Sequence, residues 1–187
     1  MNTLEGKKQL EQARERIIEA IAQNIDLYGL THSAGRLYGT MFFHNKPLTL
    51  DEMKEELGMS KTSMSTTVRA LSDIKQVEKV WKKGVRKDLY QIEEDWYQSF
   101  IDLFSIKWRN AITMHLTVLK KSLADLRELV EDGNTHEEIK KLAKIDIEKL
   151  EYAYDYYQWL HRLVEAFENH DIFKLVPKTS NKSTHLM

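Results

Sequence analysis

The 187-residue sequence contains no cysteine, which excludes disulfide bridges, thiolate metal sites and a cysteine nucleophile. It has only two prolines and seven glycines, and this scarcity of helix breakers favours helices. No apolar run approaches the roughly 20 residues that a membrane helix needs, and the N-terminus lacks the apolar stretch of a signal peptide. We therefore expect a mainly helical protein of the reducing cytoplasm that has no membrane partner.

Signatures of catalysis are also missing. The seven histidines are scattered, none forms a His-x-x-x-His pair, and no glycine-rich phosphate loop is present. His161 and Glu165 are four residues apart, and His170 adjoins Asp171, but an isolated pair is more typical of a surface contact than of a metal site. The prediction is a protein that is not an enzyme and has no cofactor and no metal site.

The charge is unevenly distributed. The net charge of the chain is −1, yet the segment 60–90 holds eight basic and three acidic residues. A positive segment within an otherwise acidic chain is typical of a DNA-contacting element on a larger scaffold.

The same region has the pattern of a helix-turn-helix followed by a wing. Thr49 and Glu52 have capping-box spacing, Gly58 is placed to end that helix, and Ser60 is placed to cap a second helix that runs to about Lys75. Two short β-prone runs, 77–80 and 89–92, then flank a basic stretch with Gly84 at its turn. This order predicts a recognition helix and a β-hairpin wing.

Helical patterns occupy both sides of this region. One apolar face, with spacings of seven, four, four and three, predicts an N-terminal helix; it consists of Leu10, Ile17, Ile21, Ile25 and Tyr28. The segment 31–43 predicts a short second helix. From Glu93 an apolar stripe continues to Val130, and Thr135 with Glu138 predicts a capping box for a last long helix. That helix has a 3.5-residue repeat, formed by Ile139, Ala143, Asp146, Leu150, Ala153, Tyr157, Leu160, Val164 and Phe167.

These patterns predict a mainly α protein, a winged helix-turn-helix with a two-stranded β-wing and long C-terminal dimerisation helices. The expected parts are N-terminal helices over 1–44, a DNA-binding domain over 45–92, a dimerisation and effector region over 93–176, and a disordered tail over 177–187. A homodimer is expected because a helix of about 38 residues would span roughly 55 Å, too long for one small core. A monomeric helical bundle is the alternative.

Three stretches resemble the GbsR-type branch of MarR-like repressors: the segments 35–41, 50–65 and 80–90. The resemblance implies a dimeric bacterial transcription repressor of osmoprotectant genes. It also implies that choline or a related quaternary-ammonium compound is the effector, with glycine betaine among the associated osmoprotectants.

The residues expected to contact double-stranded operator DNA are short hydroxyl side chains and cations, because these approach phosphates and base edges closely. They are Ser60, Lys61, Thr62, Ser63, Ser65, Thr66 and Arg69 on the recognition helix, and Lys82, Lys83, Arg86 and Lys87 on the wing. The alternative is a solvated hydroxyl-rich helix and an ordinary surface hairpin.

A quaternary ammonium has no donor hydrogen, so aromatic faces and a nearby carboxylate must hold it. Nine aromatic residues fall where we expect the winged domain to join the long helices: Tyr28, Tyr38, Phe42, Trp81, Trp96, Tyr97, Phe100, Phe104 and Trp108. The predicted effector residues are Tyr38, Phe42, Trp96, Tyr97, Phe100 and Trp108. Two other functions stay open: an architectural winged-helix protein without an effector, and an RNA-binding protein.

Overall fold

The computed structural model describes residues 3–179, which form seven α-helices, one 3-10 helix and three short strands. The first half contains α1 (Thr3–Asn24), the 3-10 helix (Ile25–Tyr28), α2 (His32–Phe42), β1 (Leu48–Thr49), α3 (Leu50–Leu57), α4 (Lys61–Asp73), β2 (Val77–Val80) and β3 (Leu89–Ile92). It is followed by α5 (Trp96–Glu131), α6 (Glu137–Glu168) and α7 (Ile172–Leu175). None of these helices combines the length and the apolarity needed to cross a bilayer.

The helix-turn-helix forms as its local signals predict. The Thr49 hydroxyl accepts from the Glu52 N–H, and the Glu52 carboxylate accepts from the Thr49 N–H at 2.7 Å, so the capping box is confirmed. Gly58 ends α3 in the left-handed region, with φ 63°. The Ser60 hydroxyl then accepts from the Ser63 N–H and caps α4.

The sheet has three strands in the order β1-β3-β2, all antiparallel, whereas the sequence predicted two. Val77 pairs with Ile92 and Val80 with Leu89 in the hairpin, and Leu89 also pairs with Thr49 of β1. The added strand has a local cause, because an N-cap residue is extended. Thr49 has φ −83° and ψ 159°, an extended conformation in which its backbone can pair with β3.

The chain has two compact units, the first ending at Leu103 and the second beginning at Phe104. The core of the first unit joins α2, α3, α4 and the sheet; its buried residues are Ala34, Leu37, Tyr38, Met41, Leu48, Met53, Met64, Val68, Leu71, Val77 and Ile92. The four-part division expected above stays a prediction, and residues 180–187 of its tail lie outside the described residues.

The buried face of α1 matches the predicted one only in part. Ile25 is buried at the start of the 3-10 helix and Ile21 packs against the core, as predicted, but α1 itself buries Ile18 and Ala22, while Leu10 and Ile17 are exposed. The reason is the close approach of α1 to α2, where a Cβ atom on Gly35 would lie only 2.5 Å from the Ala22 Cα. Small residues therefore decide which face of α1 packs, and the longer aliphatic side chains lie beside that contact.

The second unit is a helical hairpin of α5 and α6. Ile112, Leu160 and Val164 are its buried cluster, with Tyr157 and Leu116 among the partly buried residues against it. On the predicted α6 seam, Ala143, Leu160 and Val164 are buried but Ile139 is exposed.

The capping box predicted for Thr135 and Glu138 at the start of α6 was wrong. The Thr135 hydroxyl donates to the Asp132 carboxylate at 3.3 Å instead of capping α6. His136 is the N-cap residue of α6 and forms no side-chain cap. Asp132 also accepts from the Asn134 N–H and so organises the turn between the two long helices. Thr135 is therefore bonded to Asp132 and does not cap α6.

Candidate nucleic-acid interface and ligand cavity

Helix α4 has one buried face and one polar face. Met64, Thr67, Val68 and Leu71 are buried on the core side. Six of the seven predicted contact residues of this helix are exposed, namely Ser60, Lys61, Thr62, Ser63, Thr66 and Arg69, and Ser65 is half-buried. The pattern of the sequence therefore separates core from surface correctly along the recognition helix.

Several hydroxyl groups of α4 already have partners within the helix. Ser60 Oγ donates to Ser63 Oγ at 2.9 Å, and Thr66 Oγ1 donates to the Thr62 carbonyl at 3.1 Å. The proton of Thr66 is thus satisfied, and its oxygen faces outward mainly as an acceptor. The start of α4 joins this hydroxyl cluster to the free N–H groups of a helix N-terminus, which favours an anionic ligand.

The wing is a tight hairpin. The Val85 N–H donates to the Lys82 carbonyl at 3.1 Å, and Gly84 lies at the third turn position with φ 84°. This conformation favours glycine, because a side chain there would be strained. Residues 81–88 are exposed, so all four predicted wing cations face solvent.

The cations of the wing fall into two groups. At its base, Lys79 pairs with Asp88 at 2.8 Å, and Lys87 donates to Asp51 of α3 at 2.7 Å. At its tip, Lys82, Lys83 and Arg86 form no ion pair within residues 3–179. This division could not be predicted from the sequence, because Asp51 and Lys87 are 36 residues apart.

The Lys87–Asp51 contact joins the wing to the helix-turn-helix. The hydrogen bond from Lys87 lowers the pKa of the Asp51 carboxyl, and Asp51 in turn raises the pKa of Lys87. Both groups are therefore fully charged near neutral pH. One of the four predicted wing contacts thus has a structural partner, while the other three have free charges.

A cavity of about 340 Å³ opens within the first unit. Its walls come from α1, the 3-10 helix, α2, the turn after α4 and the first turns of α5. The lining residues are Ile17, Ala20, Ile21, Asn24, Ile25, Tyr28, Tyr38, Gln76, Trp96, Ser99, Phe100 and Leu103. All of them are described residues, and none has a charged side chain.

The polar groups in the cavity wall are few. Gln76 Nε2 donates to the Ser99 carbonyl at 3.0 Å and to the Ile74 carbonyl at 3.3 Å, which holds the end of the recognition-helix segment on α5. The Ser99 hydroxyl is buried without a hydrogen bond of normal geometry. Burial raises the pKa of Tyr38, so its phenol is neutral at physiological pH.

The cavity includes only part of the predicted effector set. Tyr38, Trp96 and Phe100 line it, whereas Phe42 packs behind Trp96, with ring centroids 5.4 Å apart. Tyr97 is exposed and does not line the cavity.

Trp108 belongs to the second unit, where its ring lies 6.1 Å from that of Phe104. Sequence reasoning missed Tyr28, Asn24, Gln76 and Ser99 as cavity residues. Only Tyr28 had a signal, since it ends the apolar face predicted for α1.

The histidines between residues 3 and 179 show no metal-binding arrangement. No group of three or more His, Cys, Asp or Glu side chains in the described part of the chain could hold a metal ion. His161 Nδ1 lies 3.6 Å from Glu165, and His44 Nε2 lies 2.9 Å from Glu56. Each is a contact with a single carboxylate.

Comparisons with known proteins agree with this architecture. The profile of the family described as "GbsR family transcriptional regulator, C-terminal helical hairpin" matches residues 96–174. The HTH-type transcriptional repressor OpcR of Bacillus subtilis (strain 168) is 42% identical over 176 residues, which cover 94% of this chain and 95% of OpcR. The HTH-type transcriptional repressor GbsR of the same organism is 41% identical over 168 residues, which cover 90% of this chain and 93% of GbsR.

A crystal structure described as that of a transcriptional regulator has the same fold. Its TM-score is 0.61 at 17% identity, and the match covers 85% of this chain and 98% of that one. The mainly α, winged-helix fold class predicted from the sequence is confirmed. Both named relatives are transcriptional repressors and neither is an enzyme, in agreement with the prediction that this chain is not an enzyme.

Proposed function

This chain belongs to the GbsR family of transcriptional regulators, and we propose that it binds operator DNA as a homodimer and represses transcription. The observation that supports this proposal is the arrangement of the first unit. A capped helix presents hydroxyl groups and cations to solvent, and it is followed directly by a hairpin whose three tip cations have no ion pair in the part of the chain that the structure describes.

The proposed contacts on α4 divide by chemistry. Ser60, Lys61, Thr62 and Ser63 surround the helix N-terminus and suit a phosphate. Ser65, Thr66 and Arg69 lie further along the helix, where side chains of a recognition helix meet base edges in the major groove.

The proposed contacts of the wing are electrostatic. Arg86 is the residue that we assign to the minor groove, where a narrow groove strengthens the negative potential. Lys82 and Lys83 are assigned to flanking phosphates. Lys87 is the fourth contact proposed, and it would have to share its charge between a phosphate and Asp51.

The proposed dimer uses an exposed face of the hairpin. A row of α6 residues with spacings of three, four, three, four and three points away from the hairpin core. It comprises Leu142, Ile145, Lys149, Tyr152, Tyr156 and Trp159, all of them exposed. This row, here called the outer seam, has the spacing of helix-on-helix packing, and a second copy offers an identical row across a two-fold axis. Only Lys149, which pairs with Asp146, interrupts its apolar character.

A dimer also explains how a short recognition helix selects a site. Two winged units related by a two-fold axis would read two half-sites centred about 10 base pairs apart. The operator that we expect is therefore an inverted repeat.

We also propose that the cavity binds choline or a related quaternary-ammonium compound, which then changes operator affinity. Tyr28, Tyr38, Trp96 and Phe100 supply aromatic faces, and each cation–π contact contributes about 0.5–2 kcal/mol. The cavity volume is near the lower end of the usual range for small-molecule sites, about 300 Å³ and upward. No cation among the described residues lines the cavity to repel a positive ligand, but no carboxylate among them lines it either. The Glu93 carboxylate acts on one lining residue, because its charge contributes to the raised pKa of Tyr38.

Operator binding is tested by selection from a randomised duplex pool, followed by affinity measurements over a range of salt concentrations. We expect enrichment of inverted repeats, and we expect Arg86→Ala to reduce the slope of log affinity against log salt by about 0.9. If no sequence is enriched, the proposal of operator binding is refuted. If Arg86→Ala has the affinity and the salt slope of the wild type, the assignment of Arg86 to a DNA contact is wrong.

Effector binding is tested with choline and its uncharged carbon isostere, 3,3-dimethyl-1-butanol. Choline should quench tryptophan fluorescence saturably, raise the melting temperature and change operator affinity, whereas the isostere should bind more weakly because it lacks the charge. Trp96→Phe should remove most of the quenching but keep the thermal stabilisation. No response to millimolar choline would leave the effector-independent winged-helix protein as the better description.

A further inference from the structure

Trp81 is the most solvent-exposed tryptophan of the chain. Its exposed fraction is 82%, against 51% for Trp96, 36% for Trp108 and 50% for Trp159. The sequence predicted that Trp81 lies where the winged domain joins the long helices. The structure instead places it on the wing, and it does not line the cavity. An indole ring is a large apolar group with one polar edge, so covering a ring this exposed in a complex would be favourable.

The position of Trp81 on the wing is well defined. It follows the last residue of β2 and precedes the turn that the Val85 N–H closes on the Lys82 carbonyl. The two ion pairs at the base, Lys79–Asp88 and Lys87–Asp51, fix the hairpin behind it. The ring is therefore attached to an ordered element, and little conformational freedom would be lost when a partner covers it.

The charges around the ring limit the choice of partner. Lys82, Lys83 and Arg86 lie within five residues of Trp81, and none of them has an ion pair among the described residues. Two such wings would repel each other, so a second copy is disfavoured as the cover. The partner must instead be anionic and must offer an apolar surface close to its charges.

Duplex DNA has both properties, because deoxyribose and base edges line each groove between the phosphates. We propose that Trp81 is a non-ionic DNA contact of the wing, and that its ring packs against the sugars and base edges of the groove that the wing enters. Apolar side chains of other DNA-binding proteins act in this way as wedges in the minor groove. The inference depends on the operator binding proposed above and adds a contact to it.

The test compares Trp81→Ala and Trp81→Phe with Lys82→Ala, using the full chain and the selected operator. Trp81→Ala should weaken binding about tenfold at every salt concentration, since the apolar contact of the ring with the groove is lost. Its salt slope should equal that of the wild type, because no charge is lost. Trp81→Phe should recover most of the affinity. Lys82→Ala is the matched control and should reduce the slope by about 0.9.

Two further measurements separate the possible failures. Operator should quench wild-type tryptophan fluorescence, and Trp81→Phe should remove most of that quenching; sedimentation of Trp81→Ala should show an unchanged dimer. Wild-type affinity in Trp81→Ala, or a loss of dimer, would overturn the assignment of Trp81 while operator binding stands. A wild-type protein that binds no duplex would instead refute the proposed function.

Discussion

The unit that ends at Leu103 and the hairpin that begins at Phe104 bury their apolar residues very differently. The first unit encloses eleven buried residues between three helices and a sheet, with α1 packed closely on α2. In the hairpin, Ile112, Leu160 and Val164 form a small buried cluster and Leu119, Leu123 and Ala143 are buried apart from it, while the outer seam of α6 stays exposed. The comparison teaches that the first unit has the larger core, although side chains such as Leu27 and Trp81 stay exposed on it, whereas the exposed apolar side chains of α6 form one continuous row.

The largest expected effect concerns the exposed side of the hairpin. The double variant Ile145→Ala with Tyr152→Ala removes four seam side chains per dimer, at about 1 kcal/mol or more each. The dimer dissociation constant should rise on the order of a thousandfold. Sedimentation over a range of concentrations measures this change.

A matched double variant lies on the polar face of the same helix. Lys144→Ala with Asp155→Ala alters two exposed side chains outside the seam and should leave the dimer intact. Equal dissociation constants for the two double variants would show that the outer seam is an ordinary solvated face.

The next effect concerns the close packing of α1 on α2 in the first unit. In Gly35→Ala the new Cβ atom would lie 2.5 Å from the Ala22 Cα, so α1 and α2 must move apart. Overpacking of this kind costs about 1–3 kcal/mol of the free energy of unfolding. Denaturant unfolding measures the loss, and the dimer constant should not change once the protein is folded.

Gly133→Ala is the matched control, because nothing lies within 4 Å of a Cβ atom placed there. It should be neutral or stabilising by up to about 1 kcal/mol, since alanine restricts the unfolded chain. If both glycine variants have the same stability, the close packing of the first unit does not determine its stability.

The smallest effect tests whether the surface of the first unit is also organised by its own contacts. Lys87→Gln should weaken operator binding at most about fivefold and should reduce the salt slope by less than the roughly 0.9 of a full phosphate contact, because Lys87 shares its charge with Asp51. Asp51→Asn should not reduce the slope, because it frees the charge of Lys87. Affinity measured against salt concentration decides, because an unchanged slope in Lys87→Gln would show that Lys87 is not a DNA contact.

Much of the first unit was predictable because its signals act over three or four residues. The capping box of Thr49 and Glu52, the left-handed Gly58 and the Ser60 cap each depend on hydrogen bonds to near neighbours. The same holds for Gly84 at the turn of the wing. The prediction failed where a nearby group competed for the same hydrogen bond, because Thr135 donates to Asp132 and does not cap α6.

The candidate sites were predictable only in part. Exposure of the hydroxyl and cationic residues on α4 and the wing followed from periodicity and turn position. The cavity did not, because Gln76 and Ser99 reach its wall through packing between distant segments, and their residue types are not distinctive. The free and paired cations of the wing could not be separated either, since the partner of Lys87 lies on α3.

The sequence by itself determined the order of the helices, the helix-turn-helix, the basic hairpin and the long C-terminal helices, because backbone hydrogen bonds and side-chain periodicity are local. Only the tertiary structure decided that β1 joins the hairpin, which face of α1 is buried, where the cavity opens and which apolar row of α6 stays exposed. These outcomes depend on the volume that each side chain finds among distant neighbours, and on which apolar face fits closely against a small residue such as Gly35.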